Sequence, residues 1–130
     1  GTLQLDKVRL YLSYVLLNVT SGTAGAPMRR DKIPMAGIIY QATPSLKLTA
    51  AVYDDIGSNL GNVNAANGKK RTSYAIAEYS LSKKTELYVE LDHNGFAGAY
   101  KHDPINVAAF NLQPGASAAT GMSIGMMTHF

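Results

Sequence analysis

The side chains that could do acid–base or metal chemistry are few and scattered. His93, His102 and His129 show none of the short spacings by which ligands share one metal, and there is no cysteine. Asp54, Asp55 and Asn59 could hold a divalent cation at a loop mouth, but an acidic pair at this kind of position reads more simply as the start of a turn. Hydroxyls and carboxylates occur without any order of nucleophile, base and orienting group, and no Gly-rich phosphate loop joins a strand to a helix. The sequence therefore predicts no enzyme, no metal and no cofactor. The "NVT" triplet at Asn18–Thr20 matches a glycosylation sequon, a pattern frequent by chance.

One ordered set of ionisable residues remains. Arg9, Lys47, Glu78, Glu90 and Asp92 each stand mid-segment in a period-two pattern, on the face opposite the aliphatic residues. In "KVRLYLSYVLLN", Val8, Leu10, Leu12, Tyr14 and Leu16 alternate with Arg9, Tyr11 and Ser13. The same alternation recurs in Lys32–Ala42, Ser45–Asp55, Arg71–Leu81, Thr85–Asn94 and Thr120–Phe130, and "TLQL" begins it before a turn at Asp6 and Lys7. Six long strands and the tail of one before them are expected, with the last running to Phe130. Helical periodicity is hard to find.

The links between these segments alternate in length. "TPS" and "SKKT" are tight turns, whereas "TSGTAGAPMRR", "GSNLGNVNAANGK" and the two dozen residues before the last strand are Gly-, Asn- and Pro-rich loops. Tight turns then gather at one end of the sheet and long loops at the other, as in an up-and-down meander with one outward-facing end.

Composition narrows the class. The 130 residues suit one domain, 1–130, and only 16% are charged, below the quarter usual in soluble domains. Mean hydropathy is −0.05, and no apolar stretch approaches the ~18 residues of a spanning helix. A net charge of +3 is spread along the chain rather than gathered in a basic patch, which argues against a nucleic-acid partner. The mid-strand charges decide between a dry core and a wet one. A packed interior would have to pair or neutralise each of them, whereas a water-filled lumen hydrates them. The aliphatic face then meets lipid, with Tyr14, Tyr40 and Tyr79 in the aromatic girdles. Six strands cannot close such a barrel and an open edge in hydrocarbon is costly, so the chain is expected to be part of a longer polypeptide.

"YQATPSLKLTAAVYDD", "AEYSLSKKTELYVELDHN" and the ending "TGMSIGMMTHF" resemble the last strands of the trimeric general-diffusion porins of Gram-negative bacteria. The resemblance implies a 16-stranded transmembrane antiparallel barrel, of which this is the last six strands. It further implies a passive outer-membrane channel for ions and small hydrophilic solutes, assembled as a homotrimer. Arg9 and Lys47 would be basic, and Glu78, Glu90 and Asp92 acidic, lining of the pore. The terminal strand with Ile124, Met126 and Phe130 resembles the signal read by the outer-membrane assembly machinery. The constriction loop of that family would lie upstream of this chain. Lipid and lipopolysaccharide are the implied partners; the "GKKR" run and Arg29/Arg30 could touch lipopolysaccharide phosphates, or form a solvated loop base. The alternative from another class is a soluble all-β binding module, such as a lectin-like sandwich.

Overall fold

Alternation sustained over 11 to 14 residues gives strands longer than the usual five or six. The computed structural model, which describes residues 1–113 and 115–130, places them in one antiparallel sheet. The strands are β1 (Thr2–Leu5), β2 (Val8–Val19), β3 (Arg29–Gln41), β4 (Leu46–Ser58), β5 (Gly68–Ser80), β6 (Thr85–Gly98) and β7 (Ala118–Thr128). They lie in chain order, each paired only with its sequence neighbours. β1 and β7 do not meet, so the sheet is open, and among the described residues no second sheet packs on it.

Both tight turns are built alike. Thr43 Oγ1 accepts from the amides of Ser45 and Leu46, and Ser82 Oγ accepts from those of Lys84 and Thr85. A hydroxyl at the first turn position supplies the acceptor that reverses the chain. At the other end the loops are pinned by asparagines: Asn62 Nδ2 donates to Val19 O and Pro27 O, and Asn59 Nδ2 to Met28 O. Both asparagines have positive φ, which their short side chains tolerate.

The structure departs from the sequence expectations at the loop end. β3, β4, β5 and β6 extend three or four residues further than their alternation suggested, because cross-strand pairing continues through charged residues in β3 and β5 and through the Gly-containing ends of β4 and β6. Arg29, Arg30 and the Lys69–Arg71 run therefore belong to strands rather than to loop bases, and Asp54 and Asp55 sit inside β4 rather than opening a turn. β7 stops at Thr128, and Phe130 stands fully exposed beyond it. The β6–β7 connection holds a 3-10 turn at Ala99–Lys101 and a short helix, α1 (Pro104–Phe110), where no helix was expected. Asp103 caps α1, Pro104 opens it, and Asn111 ends it in the left-handed region.

The register also depends on close approach. Tyr11 lies across Gly37, its partner on β3, so any side chain at 37 would collide with the ring. Gly37→Val should lower stability by about 1–3 kcal/mol, and Tyr11→Ala in the same chain should recover part of that loss. Urea unfolding of the single and double variants reads both effects.

Candidate functional site

The two faces of the sheet have opposite chemistry and, against the habit of soluble proteins, the polar one is the more enclosed. Asp31, Ala51, Gly57, Thr72, Asn94 and Phe96, the buried strand residues among those described, all lie on the charged face. The aliphatic face is open, with Leu12 at 66% and Ile124 at 71% exposure. The chain exposes 8561 Å² in total. A compact monomer of 13.9 kDa exposes about 6,700 Å². The excess is the signature of a sheet with no core on its apolar side.

The register brings the sequence-predicted ionisable residues together. Lys47, Glu78 and Gly125 share one row across the charged face, along with Gln41 and Tyr88. Arg9 and Glu90 stand in the next row, and Asp92 in the one after it, with Tyr11 and Tyr74. The five occupy three successive rows in the half of the wall nearer the tight turns. Lys47 Nζ pairs with a Glu78 carboxylate oxygen at 3.0 Å. Arg9 Nε donates to Gln4 Oε1 at 2.9 Å; Asn94 Nδ2 donates to Asp92 at 2.6 Å, and Asn94 Oδ1 accepts from Thr72 Oγ1 at 2.7 Å. In this half of the wall Glu86, Glu90 and Asp92 make β6 acidic, and Arg9 and Lys47 make β2 and β4 basic. Opposite charges therefore face across about 19 Å of sheet between β2 and β6. The Tyr11 and Tyr74 hydroxyls, 3.3 Å apart, bridge β2 to β5 across Gly37 and Ala51.

Nearer the loops the same face carries a second polar group that the sequence reading did not assign. Asp31 is 1% exposed and one of its oxygens pairs with Arg29 Nε at 2.8 Å. Tyr100, from the β6–β7 connection and 2% exposed, lies against this wall with Lys70 Nζ 5.9 Å from its ring centre. Its hydroxyl faces Asp55 and Asp31 without closing a hydrogen bond of good geometry, and Asp31 Oδ1, Asp55 Oδ1 and Tyr100 Oη are buried without partners. Burial, and then the nearby Asp55 and Asp31 carboxylates, hold its phenol well above the ordinary value. The signal for these residues was present: Asp55 closes the expected segment on the charged face, and Asp31 and Lys70 continue the period-two pattern one residue past the point where their segments seemed to end.

The aliphatic face is not uniformly apolar along the strands. Towards the loops its last apolar residue before a polar or charged one is Leu16 in β2, Pro34 in β3, Val52 in β4, Ala75 in β5 and Leu91 in β6. By register, Leu16 is level with Lys32 and Lys69, whereas Leu91 is level with Leu10, three rows nearer the turns. The boundary falls about 20 Å along the strands over four interstrand spacings of about 4.8 Å, a slope near 45°. In β2–β6 Ile56 and Ala97 stand above it, Ile56 beyond Asp54, which binds Arg71 through both oxygens and Lys69 Nζ at 2.8 Å. Tyr40 and Tyr79 sit on this face near the tight turns, and Tyr14 nearer the opposite margin. Ile124 and Met126 are on it too, opposite Val89 and Leu87. Ala50, Ala75 and Ala77 floor a shallow apolar furrow between larger neighbours.

No protein family, curated protein or solved structure matches the chain. Its geometry offers a charged wall backed by an apolar one. Among the described residues no three His, Cys, Asp or Glu side chains converge as metal ligands.

The raised phenol of Tyr100 has a sign. Its contribution to holding the connection is complete below about pH 10, the unfolded value, and is lost as pH rises from there through the folded value. Alkaline titration should show a late rise in phenolate absorbance to which Tyr100 contributes, and Tyr100→Phe should diminish it.

Proposed function

We propose that the sheet is an arc of a transmembrane β-barrel whose charged face lines a water-filled passage for ions and small hydrophilic solutes. The observation that carries this reading is the oblique apolar band. A membrane presents a flat slab, and barrel strands cross it tilted by roughly 35–45°, so lipid-facing residues must form a band that slants across the strands by about that angle. A soluble sheet has no reason to grade its apolar face this way. The strand lengths agree: 11 to 14 residues at about 3.3 Å each span about 36–46 Å along the strand, or about 26–33 Å of height at a 45° tilt.

The open edges of β1 and β7 would leave backbone amides unpaired in hydrocarbon, so further strands outside these 130 residues complete the ring. The resemblance to trimeric 16-stranded porins supplies a form for it, in an outer membrane, with the tight turns at the periplasmic end. The same resemblance makes Phe130 part of an assembly signal. Lys32, Lys69 and Arg71, on the lipid face just above the band, lie at the height of anionic headgroups such as those of lipopolysaccharide. Transport is passive, with selection by passage width and by the field of the lining.

Two measurements test the proposal. The protein should resist release from membranes by salt and yield to detergent, and in a planar bilayer it should produce stepwise conductance. Release by salt alone, or a silent bilayer, would overturn the channel reading. Arg9→Glu or Lys47→Glu should shift the reversal potential in a salt gradient towards cation preference. Each change replaces a positive charge on the wall by a negative one.

A further inference from the structure

The largest buried apolar cluster of the chain is neither between strands nor on the lipid-facing side. Leu60, Phe96 and Tyr100 form it, with Phe110, Leu112 and Ala119 packed around them. Phe96 projects from the charged face of β6, and its ring centre is 5.5 Å from that of Phe110 in α1. The β6–β7 connection thus folds back over the lining side of the sheet rather than outward.

The seat for Tyr100 is built into the wall. Asp31, Gly57, Gly68 and Gly98 make one row at the loop-end margin of the charged face, and the two middle positions carry no side chain. A Cβ on Gly57 would stand 3.1 Å from Tyr100 Oη and 2.7 Å from Leu60 Cδ2. One on Gly68 would stand 2.9 Å from the Tyr100 backbone nitrogen. The trough left by these glycines admits the tyrosine against the wall, and the Ala99 amide donates to Asn67 O to fix the entry of the segment. α1, capped at both ends and stiff over about 10 Å, follows directly.

We propose that the β6–β7 connection is a fixed constriction at the mouth of the passage, with Tyr100 as its positioning residue, filtering hydrophilic solutes by size. The inference rests on the channel reading. It concerns a segment of this chain, distinct from the upstream loop that the porin resemblance implies. Leu60, Phe96 and Phe110 hold the segment inward by burial, and Tyr100 sets its height on the wall.

The test uses the native assembly, extracted in detergent and inserted into a planar bilayer. Tyr100→Ala should raise single-channel conductance roughly 1.5-fold, admit larger neutral polyols, and expose residues 99–113 to protease. Tyr100→Phe keeps the ring in its trough and should conduct like the parent. If Tyr100→Ala does not assemble, Phe110→Ala, which leaves the wall intact, should give the same three changes. A conducting parent with unchanged conductance and protease resistance in the variant overturns the mouth constriction alone. A silent parent overturns the channel reading with it.

Discussion

Everything in this molecule depends on register. Side chains alternate between faces with a period of two, so a slip of one residue in any strand would bring its aliphatic set to the charged wall and its charges to the open apolar face. The chain fixes the pairing at both ends and in the middle. Thr43 and Ser82 set the two tight turns, Asn59 and Asn62 tie the long loops to one another, and the Tyr11 ring locks β2 to β3 over Gly37. Few other contacts could do so, because most of the sheet has no core on which misregistered residues would fail to pack.

The charged side chains fall into two populations with different electrostatics. Those on the enclosed face are spread along the wall, partly paired, as in Lys47 with Glu78, and in the half nearer the tight turns separated by sign between Arg9 and Lys47 on β2 and β4 and the carboxylates of β6. Those on the open face are confined to the loop-end margin, where Asp54 gathers Arg71 and Lys69. Exposed pairs of this kind add about 1 kcal/mol or less. Their position at the upper limit of the apolar band matters more than their strength.

Much of this was legible in the sequence, because β-alternation is a local pattern and tight turns carry their own chemistry. Strand order, the sharing of one face by Arg9, Lys47, Glu78, Glu90 and Asp92, and the sorting of short and long links all follow from that. The strand ends were not legible: Arg29, Arg30, Lys69 and Lys70 look like loop residues, and only pairing with a neighbour shows that the ladder continues through them. The inward seat of Tyr100 is a contact between distant segments, invisible to any local pattern. α1 is a different case. Asp103, Pro104 and Asn111 form a recognisable cap, opening and stop, overlooked because the helix between them is too short to show a periodicity.

In the proposed barrel the slant of the apolar band would also fix how much perimeter each strand occupies. At about 45°, a strand spacing of about 4.8 Å takes up about 6.8 Å of a ring, so seven strands contribute about 48 Å. Bent into a circle by themselves they would enclose a backbone diameter of about 15 Å, which inward-pointing tyrosines and arginines would fill from both sides. Arg9, Glu90 and Asp92 would then be forced into contact in a dry interior. In the proposed barrel, hydration of these side chains is thus incompatible with the sheet closing on itself, and the angle of the hydrophobic stripe would set a lower limit on the girth of the ring.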